Sequence, residues 1–204
     1  MTKLYAGLAA AAVAALLGWT AYSIFAARPA DVFAECRGGT VGGDEIGGPF
    51  TLVDENGATV TDKDVFTKPS LVYFGYTFCP DVCPLDNARN AEAVDILQER
   101  GLEVTPVFIS IDPERDTPEV VREFTDNLHP TMIGLTGSVE QVKAASQAYR
   151  TYFKKQETGD EYYLVDHSTF TYLVLPGIGF VDFFRRETTP AEMADRVACF
   201  ARLQ

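Results

Sequence analysis

Apolar and polar positions divide this chain into three regimes. From Leu4 to Ala27 there is no charged side chain, a run of 24 residues bounded by Lys3 and Arg28. Crossing a bilayer takes about 20 apolar residues. Trp19 and Tyr22 stand toward the outer end of the run, as interfacial aromatics do. The pattern predicts one N-terminal transmembrane helix within a membrane anchor, residues 1–28. A cleaved signal peptide is the competing reading, but its apolar region spans only about 7–15 residues. Residues 29–46 carry Gly38, Gly39, Gly42 and Gly43 among scattered acids and predict a linker. Residues 47–204 predict a single domain.

Within that domain the periodicity alternates between strand and helix. Phe50–Val53 and Ala58–Val60 flank Asp54-Glu55-Asn56-Gly57 and predict a hairpin. Ser70–Tyr76 is a continuous apolar run and predicts a central strand. Pro84 fits the first turn of a helix carrying Ala91, Val94, Ile96 and Leu97 and stopped by Gly101. Leu102–Ile111 predicts a second core strand and Met132–Leu135 a third. Between them, Asp116-Thr117-Pro118-Glu119 predicts a helix start capped by Asp116, with Val120, Val121 and Phe124 on one face. A helix follows from Ser138 to Tyr149, then a hairpin of Thr169–Leu175 and Phe180–Phe184 around Pro176-Gly177-Ile178-Gly179, then a last helix from Thr189. Strands alternating with helices predict an α/β domain with a mixed sheet and flanking helices, of thioredoxin-like type.

The net charge of −12 excludes nucleic acid as a partner, since phosphate binding needs clustered Lys and Arg. Lys3 and the short flank before the apolar run predict a cytoplasmic N-terminus, with the domain outside. No Arg-rich amphipathic transit segment is present, so the expected address is a bacterial inner membrane with the domain in the periplasm, where disulfides persist.

Cys79-Pro80-Asp81-Val82-Cys83-Pro84 follows the central strand directly and opens the next helix. Its two thiols admit three readings. They can be structural or buried cysteines; they can be a redox pair, although such motifs usually place two residues between the sulfurs and here there are three. Or they can hold a soft metal, Cu(I) or zinc being the thiolate-favoured ions. A third donor discriminates. Of the two histidines, His129 reads as a helix-end cap or a surface residue. His167, just before the late hairpin, lies in a loop that a thioredoxin-like sheet brings beside the cysteine turn, with Asp166 or a backbone carbonyl to fix its tautomer. Cys79, Cys83 and His167 are too few for structural zinc, which takes four ligands, but suffice for Cu(I). The acids of Asp112-Pro113-Glu114-Arg115-Asp116 read as a helix cap paired with Arg115 rather than a cation site.

Tyr73-Phe74-Gly75-Tyr76-Thr77-Phe78-Cys79-Pro80-Asp81-Val82-Cys83-Pro84 resembles the signature of the Sco/SenC family of copper-binding proteins. Ser110-Ile111-Asp112-Pro113-Glu114-Arg115-Asp116-Thr117-Pro118, Val165-Asp166-His167-Ser168 and Gly47-Gly48-Pro49-Phe50-Thr51-Leu52 resemble further blocks of that family, in the same order. The resemblance implies a copper chaperone that serves the dinuclear copper centre of cytochrome c oxidase subunit II, supplied by a copper donor protein. It implies Cys79, Cys83 and His167 as ligands for Cu(I) and Cu(II). It also implies a thiol–disulfide role for Cys79 and Cys83, which keeps open the alternative of a membrane-anchored reductase. A thiol peroxidase is a third reading of the same fold. Cys36 and Cys199 lie outside the family blocks, in the linker and in the last helix. They are expected either to form a disulfide tying the N-terminal segment to the domain or to be two unrelated thiols.

Overall fold

The computed structural model describes residues 2–26, 31–38, 46–156 and 162–204. The chain forms two compact units, Met1–Ala34 and Glu35–Gln204. Of the stretch expected as a linker, residues 29–30 and 39–45 lie outside the described residues. In the first unit, α1 (Thr2–Ala26) is one uninterrupted helix of 25 residues. At 1.5 Å per residue it extends about 37 Å, more than the ~30 Å hydrocarbon core of a bilayer. Its stretch Tyr5–Ser23 is long and apolar enough to cross a membrane. The hydroxyls within it turn back on the helix: Thr20 Oγ1 donates to the Leu16 carbonyl at 2.9 Å and Ser23 Oγ to the Thr20 carbonyl at 2.9 Å.

The second unit contains, in order, β1 (Thr51–Asp54), β2 (Thr59–Thr61), α2 (Asp62–Val65), β3 (Ser70–Gly75), α3 (Val82–Glu99), β4 (Thr105–Ser110), α4 (Pro118–Asp126), β5 (Ile133–Thr136), α5 (Val139–Ala148), β6 (Phe153–Lys155), β7 (Val165–His167), β8 (Thr171–Leu175), β9 (Gly179–Phe184) and α6 (Pro190–Arg202). Seven strands form one mixed sheet in the order β2-β1-β5-β4-β3-β8-β9, and β6 pairs with β7 as a separate ribbon. β3, β4 and β5 run parallel, as the βαβ connections through α3 and α4 require. β8 is antiparallel to β3. This is the thioredoxin-like arrangement.

Every residue of β3 is buried, which explains why its sequence is a continuous apolar run rather than an alternating one. Its side chains still divide between faces. Phe74 packs against Tyr149 and Tyr172, with ring centroids 5.3 and 5.9 Å away. Tyr73 and Gly75 face the other way, toward α3. On that side Phe124 of α4 meets Phe108 of β4, ring centroids 4.7 Å apart.

α3 starts at Val82, so Pro84 lies in its first turn as expected, together with Cys83. Several expectations are corrected. Asp116 does not cap α4: Thr117 does, its hydroxyl accepting from the Val120 N–H at 3.4 Å. Asp116 is turned inward and fully buried. His129 is not on the surface. It is buried, its Nε2 3.2 Å from Asp95 Oδ1, and its Nδ1 accepts from the Thr131 N–H at 3.2 Å. His167 sits on β7 rather than in a loop. The pairing of Cys36 with Cys199 is present as a disulfide, their Cα atoms 5.6 Å apart.

Candidate metal centre

The site grows out of the end of β3. The chain leaves the sheet at Gly75, turns through Tyr76–Asp81 and enters α3. A buried carboxylate fixes that turn. Asp116 accepts from the Thr77 N–H at 3.0 Å, from Thr77 Oγ1 at 2.6 Å and from Ser110 Oγ at 2.6 Å. Burial raises the Asp116 pKa against these donors. The Cys79 N–H in turn donates to the Tyr76 carbonyl at 3.3 Å. Cys79 is thereby placed just ahead of the helix and Cys83 in its first turn, where the backbone N–H groups have no partner within the helix. The Cys83 N–H donates to Cys79 Sγ at 3.4 Å.

That placement polarises the two thiols. The Cys79 pKa falls to about 3, through its hydrogen bond with the Cys83 side chain first and then those with the backbone N–H groups of the turn, against burial. Cys83 is pushed strongly up by the same Cys79 contact and by its complete burial. The same contact thus shifts the two sulfurs in opposite directions, and neither is in a disulfide.

His167 arrives from the other side. β6 and β7 pair antiparallel with Phe153 opposite His167. The Ser168 N–H donates to the Tyr152 carbonyl at 2.9 Å and the Tyr152 N–H to Ser168 Oγ at 3.0 Å. The ribbon is pinned to the cysteine turn by the Val165 N–H, which donates to Tyr76 Oη at 3.3 Å. His167 Nδ1 lies 2.8 Å from the Ser168 carbonyl, an acceptor, so Nδ1 carries the proton and Nε2 presents its lone pair. Of the two tautomer-fixing groups anticipated, the backbone carbonyl acts. Asp166 instead accepts from Gln156 Nε2 at 2.7 Å. The free Nε2 points at Cys83 Sγ, 3.3 Å away.

The ligating atoms of Cys79, Cys83 and His167 all lie within 4.8 Å of one another. Two sulfurs and an imidazole nitrogen are a soft donor set, and three donors leave a coordination position open. The residues fit a copper ion by chemistry and convergence. Tyr73 and Tyr76 stand edge-on to the imidazole, ring centroids 6.2 and 5.8 Å away. Tyr73 is locked by its hydroxyl, which donates to buried Asp86 at 3.0 Å, and Asp86 also meets Arg186 Nε at 3.2 Å. On the outer side Arg115 lies 3.6 Å over the Tyr163 ring and 4.8 Å from that of Phe78, while Tyr163 Oη donates to Asp112 at 2.7 Å. Gly75 has no room for a side chain: an added Cβ would lie 2.9 Å from Cys83 Sγ. The sequence assigned Asp116 to a helix cap and Tyr73 and Gly75 only to the family signature, so the part each plays at the site was missed. Asp116 acts across 39 residues on Thr77, a separation no local pattern encodes.

The SCO1/SenC family model matches residues 39–202. Protein SenC of Rhodobacter capsulatus is 57% identical over 200 residues, 98% of this chain and 90% of that protein. Protein SCO1 homolog 1, mitochondrial, of Arabidopsis thaliana is 44% identical over 162 residues, 79% of this chain. The match spans only 48% of that relative's length. Among solved structures, Arabidopsis thaliana ScoI with copper bound superposes with a TM-score of 0.73 at 43% identity, covering 77% of this chain and 99% of that one. Bradyrhizobium japonicum ScoI with copper bound gives 0.69 at 40% identity, covering 75% and 98%. With both the fold and the ordered sequence blocks shared, the chain belongs to the SCO1/SenC family.

Proposed function

We propose that this chain is a membrane-anchored copper chaperone, with residues 1–28 as anchor, 29–46 as linker and 47–204 as the copper-binding domain. Cys79, Cys83 and His167 hold copper as cargo, in both Cu(I) and Cu(II) states, and deliver it to the dinuclear copper site of cytochrome c oxidase subunit II. The supporting observation is the convergence of three soft donors, drawn from a turn, a helix and a separate ribbon, within 4.8 Å. Relatives whose structures carry copper support the choice of metal. Two fixed sulfurs and one imidazole leave a position through which an incoming thiolate can exchange, so the transfer needs no change of oxidation state. The domain acts from the periplasmic side of a bacterial inner membrane.

Anaerobic Cu(I) titration tests this. Wild type takes up one equivalent tightly; Cys79→Ser and Cys83→Ser lose tight Cu(I) binding, and His167→Ala mainly weakens Cu(II). Full copper loading of the double cysteine variant refutes the site.

A second reading, a thiol–disulfide reductase acting on the cysteines of subunit II or other exported proteins, is favoured by one observation: Cys79 stands just ahead of the N-terminus of α3, where its sulfur accepts the Cys83 N–H at 3.4 Å. Turnover of a model disulfide by the metal-free protein, with no uptake of Cu(I), would select that reading.

A further inference from the structure

β9 is the last strand of the seven-stranded sheet, beyond β8. An outermost strand turns unpaired backbone groups to its free side, a template for another strand. Here side chains cap that backbone. The Val181 carbonyl accepts from Arg37 Nε at 3.2 Å. The Phe183 N–H donates to Asp182 Oδ1 at 2.8 Å, and the Phe183 carbonyl accepts from Arg196 Nη2 at 3.4 Å. Arg196 also pairs with the buried Asp182 carboxylate. Gly38 lies directly on that guanidinium: an added Cβ would come within 2.6 Å of Arg196 Cζ. Residues 36–38 thus form a cover over β9.

The cover is fastened by a covalent bond. Cys36, next to Arg37, is joined to Cys199 of α6. Reagents can reach that bond: its two cysteines line a cleft of about 410 Å³ with Arg100, Arg202 and Leu203, and Cys199 is partly exposed. A dithiol reductant breaks the S–S bond, supplies two electrons and two protons, leaves Cys36 and Cys199 as thiols and closes its own disulfide. The strand beneath reads Gly179-Phe180-Val181-Asp182-Phe183-Phe184. It is aromatic or β-branched apart from Gly179 and Asp182, it holds no proline, and Arg196 offsets its one charge. Such segments pair with their own copies when uncovered. The opposite outermost strand, β2, has three residues and runs into Asp62 and Asp64, so two copies meeting there would bring like charges together.

We propose that the Cys36–Cys199 disulfide is a redox latch on a self-association edge. Oxidised, it holds Arg37 over β9. Reduced by a dithiol, it releases that cover, and β9 pairs with the β9 of a second copy of this chain. Antiparallel pairing about a two-fold axis is self-complementary, the same strand serving both partners. Cys79, Cys83 and His167 take no part, so the latch stands independently of the metal reading.

The test uses the full chain in detergent micelles with Cys79→Ser and Cys83→Ser, which leave Cys36 and Cys199 as the remaining cysteines. Sedimentation gives the protein mass per complex against concentration, before and after dithiothreitol, while hydrogen exchange follows the amides of residues 179–184. The oxidised chain is expected to stay monomeric at concentrations about ten-fold above those at which the reduced chain dimerises, the equivalent of one or two uncovered backbone hydrogen bonds. Exchange in β9 of the reduced chain slows as dimer forms. Cys36→Ala with Cys199→Ala dimerises likewise without reductant. Equal association of the oxidised and reduced chains overturns the latch. A reduced dimer whose β9 exchange does not slow overturns the edge as its site. A reduced chain that stays monomeric overturns the second copy as occupant.

Discussion

Replacing Gly75 by alanine probes the contact between the sheet and the metal centre. The added Cβ would lie 2.8 Å from Tyr73 Cε1, 2.9 Å from Cys83 Sγ and 3.1 Å from Phe108 Cε2. Two of these neighbours cannot yield. Tyr73 is held through its hydroxyl by Asp86 at 3.0 Å, and Phe108 is backed by Phe124. Both rings are fully buried. The sulfur is the one atom with freedom, and rotating it away takes it off the 3.3 Å approach to His167 Nε2. Overpacking of this kind costs about 1–3 kcal/mol. At roughly 2–4 °C per kcal/mol for a domain of this size, Tm falls by about 2–12 °C. Misplacing a ligand also lowers Cu(I) affinity, by about ten-fold or more on the scale seen when the support of a metal ligand is removed. The comparison is Gly134→Ala, whose Cβ would collide with Val121 and lie 3.0 Å from Glu55 Oε2, away from the site. Competition titration with a Cu(I) chelator and thermal unfolding are run on both. Wild-type Cu(I) affinity in G75A, or an equal loss of affinity in G134A, would refute a coupling between Gly75 and the Cys83 sulfur.

Asp116→Ala leaves the Thr77 N–H and the Thr77 and Ser110 hydroxyls without their acceptor. At about 1–3 kcal/mol for an orphaned buried group, Tm should drop and the freed turn should raise iodoacetamide accessibility at Cys79; an unchanged alkylation rate would show that the carboxylate does not hold the turn. Glu55 accepts the Gly134 N–H and has its pKa raised above 4.5, chiefly by burial. A raised carboxylate pKa means that its stabilising contribution is complete below the unfolded value and is lost as pH rises through the folded one. Glu55→Gln should therefore match wild type in Tm near pH 4, gain on it as pH rises through that window, and keep a constant lead above it. A constant difference across the range would exclude ionisation of Glu55 as the cause. Opening the Cys36–Cys199 disulfide releases a loop of sequence separation 163, for which the chain-entropy model gives at most ~5 kcal/mol. Cys36→Ser should lower the urea midpoint by a corresponding margin, and an unshifted midpoint would mean that the cross-link adds no stability.

The elements that carry the fold were legible because their signals are local. Asn56-Gly57 marks the first hairpin, and Gly57 takes φ +82°, as that turn requires. The apolar run of β3 and the Pro-bracketed cysteine turn stand adjacent in the chain, so the position of the two sulfurs follows from their neighbours. The third donor was legible as a residue but not as a structure. Val165–His167 has only three residues, too few to show a period, and its partner strand β6 is as short. The inward turn of Asp116 and the burial of His129 were misread because Thr117 satisfies the same capping rule one residue later, and because Asp95, the partner of His129, lies on another helix. Such pairings belong to tertiary packing, which outranks local preference.

Mounting the imidazole on its own two-stranded arm has a mechanical consequence. The sulfurs ride on the rigid junction of sheet and helix, whereas the nitrogen is carried by a six-residue ribbon joined to that junction through Val165 and Tyr76. If the three side chains hold copper as proposed, a displacement of the arm would withdraw one donor while the other two kept theirs, and release would proceed one bond at a time.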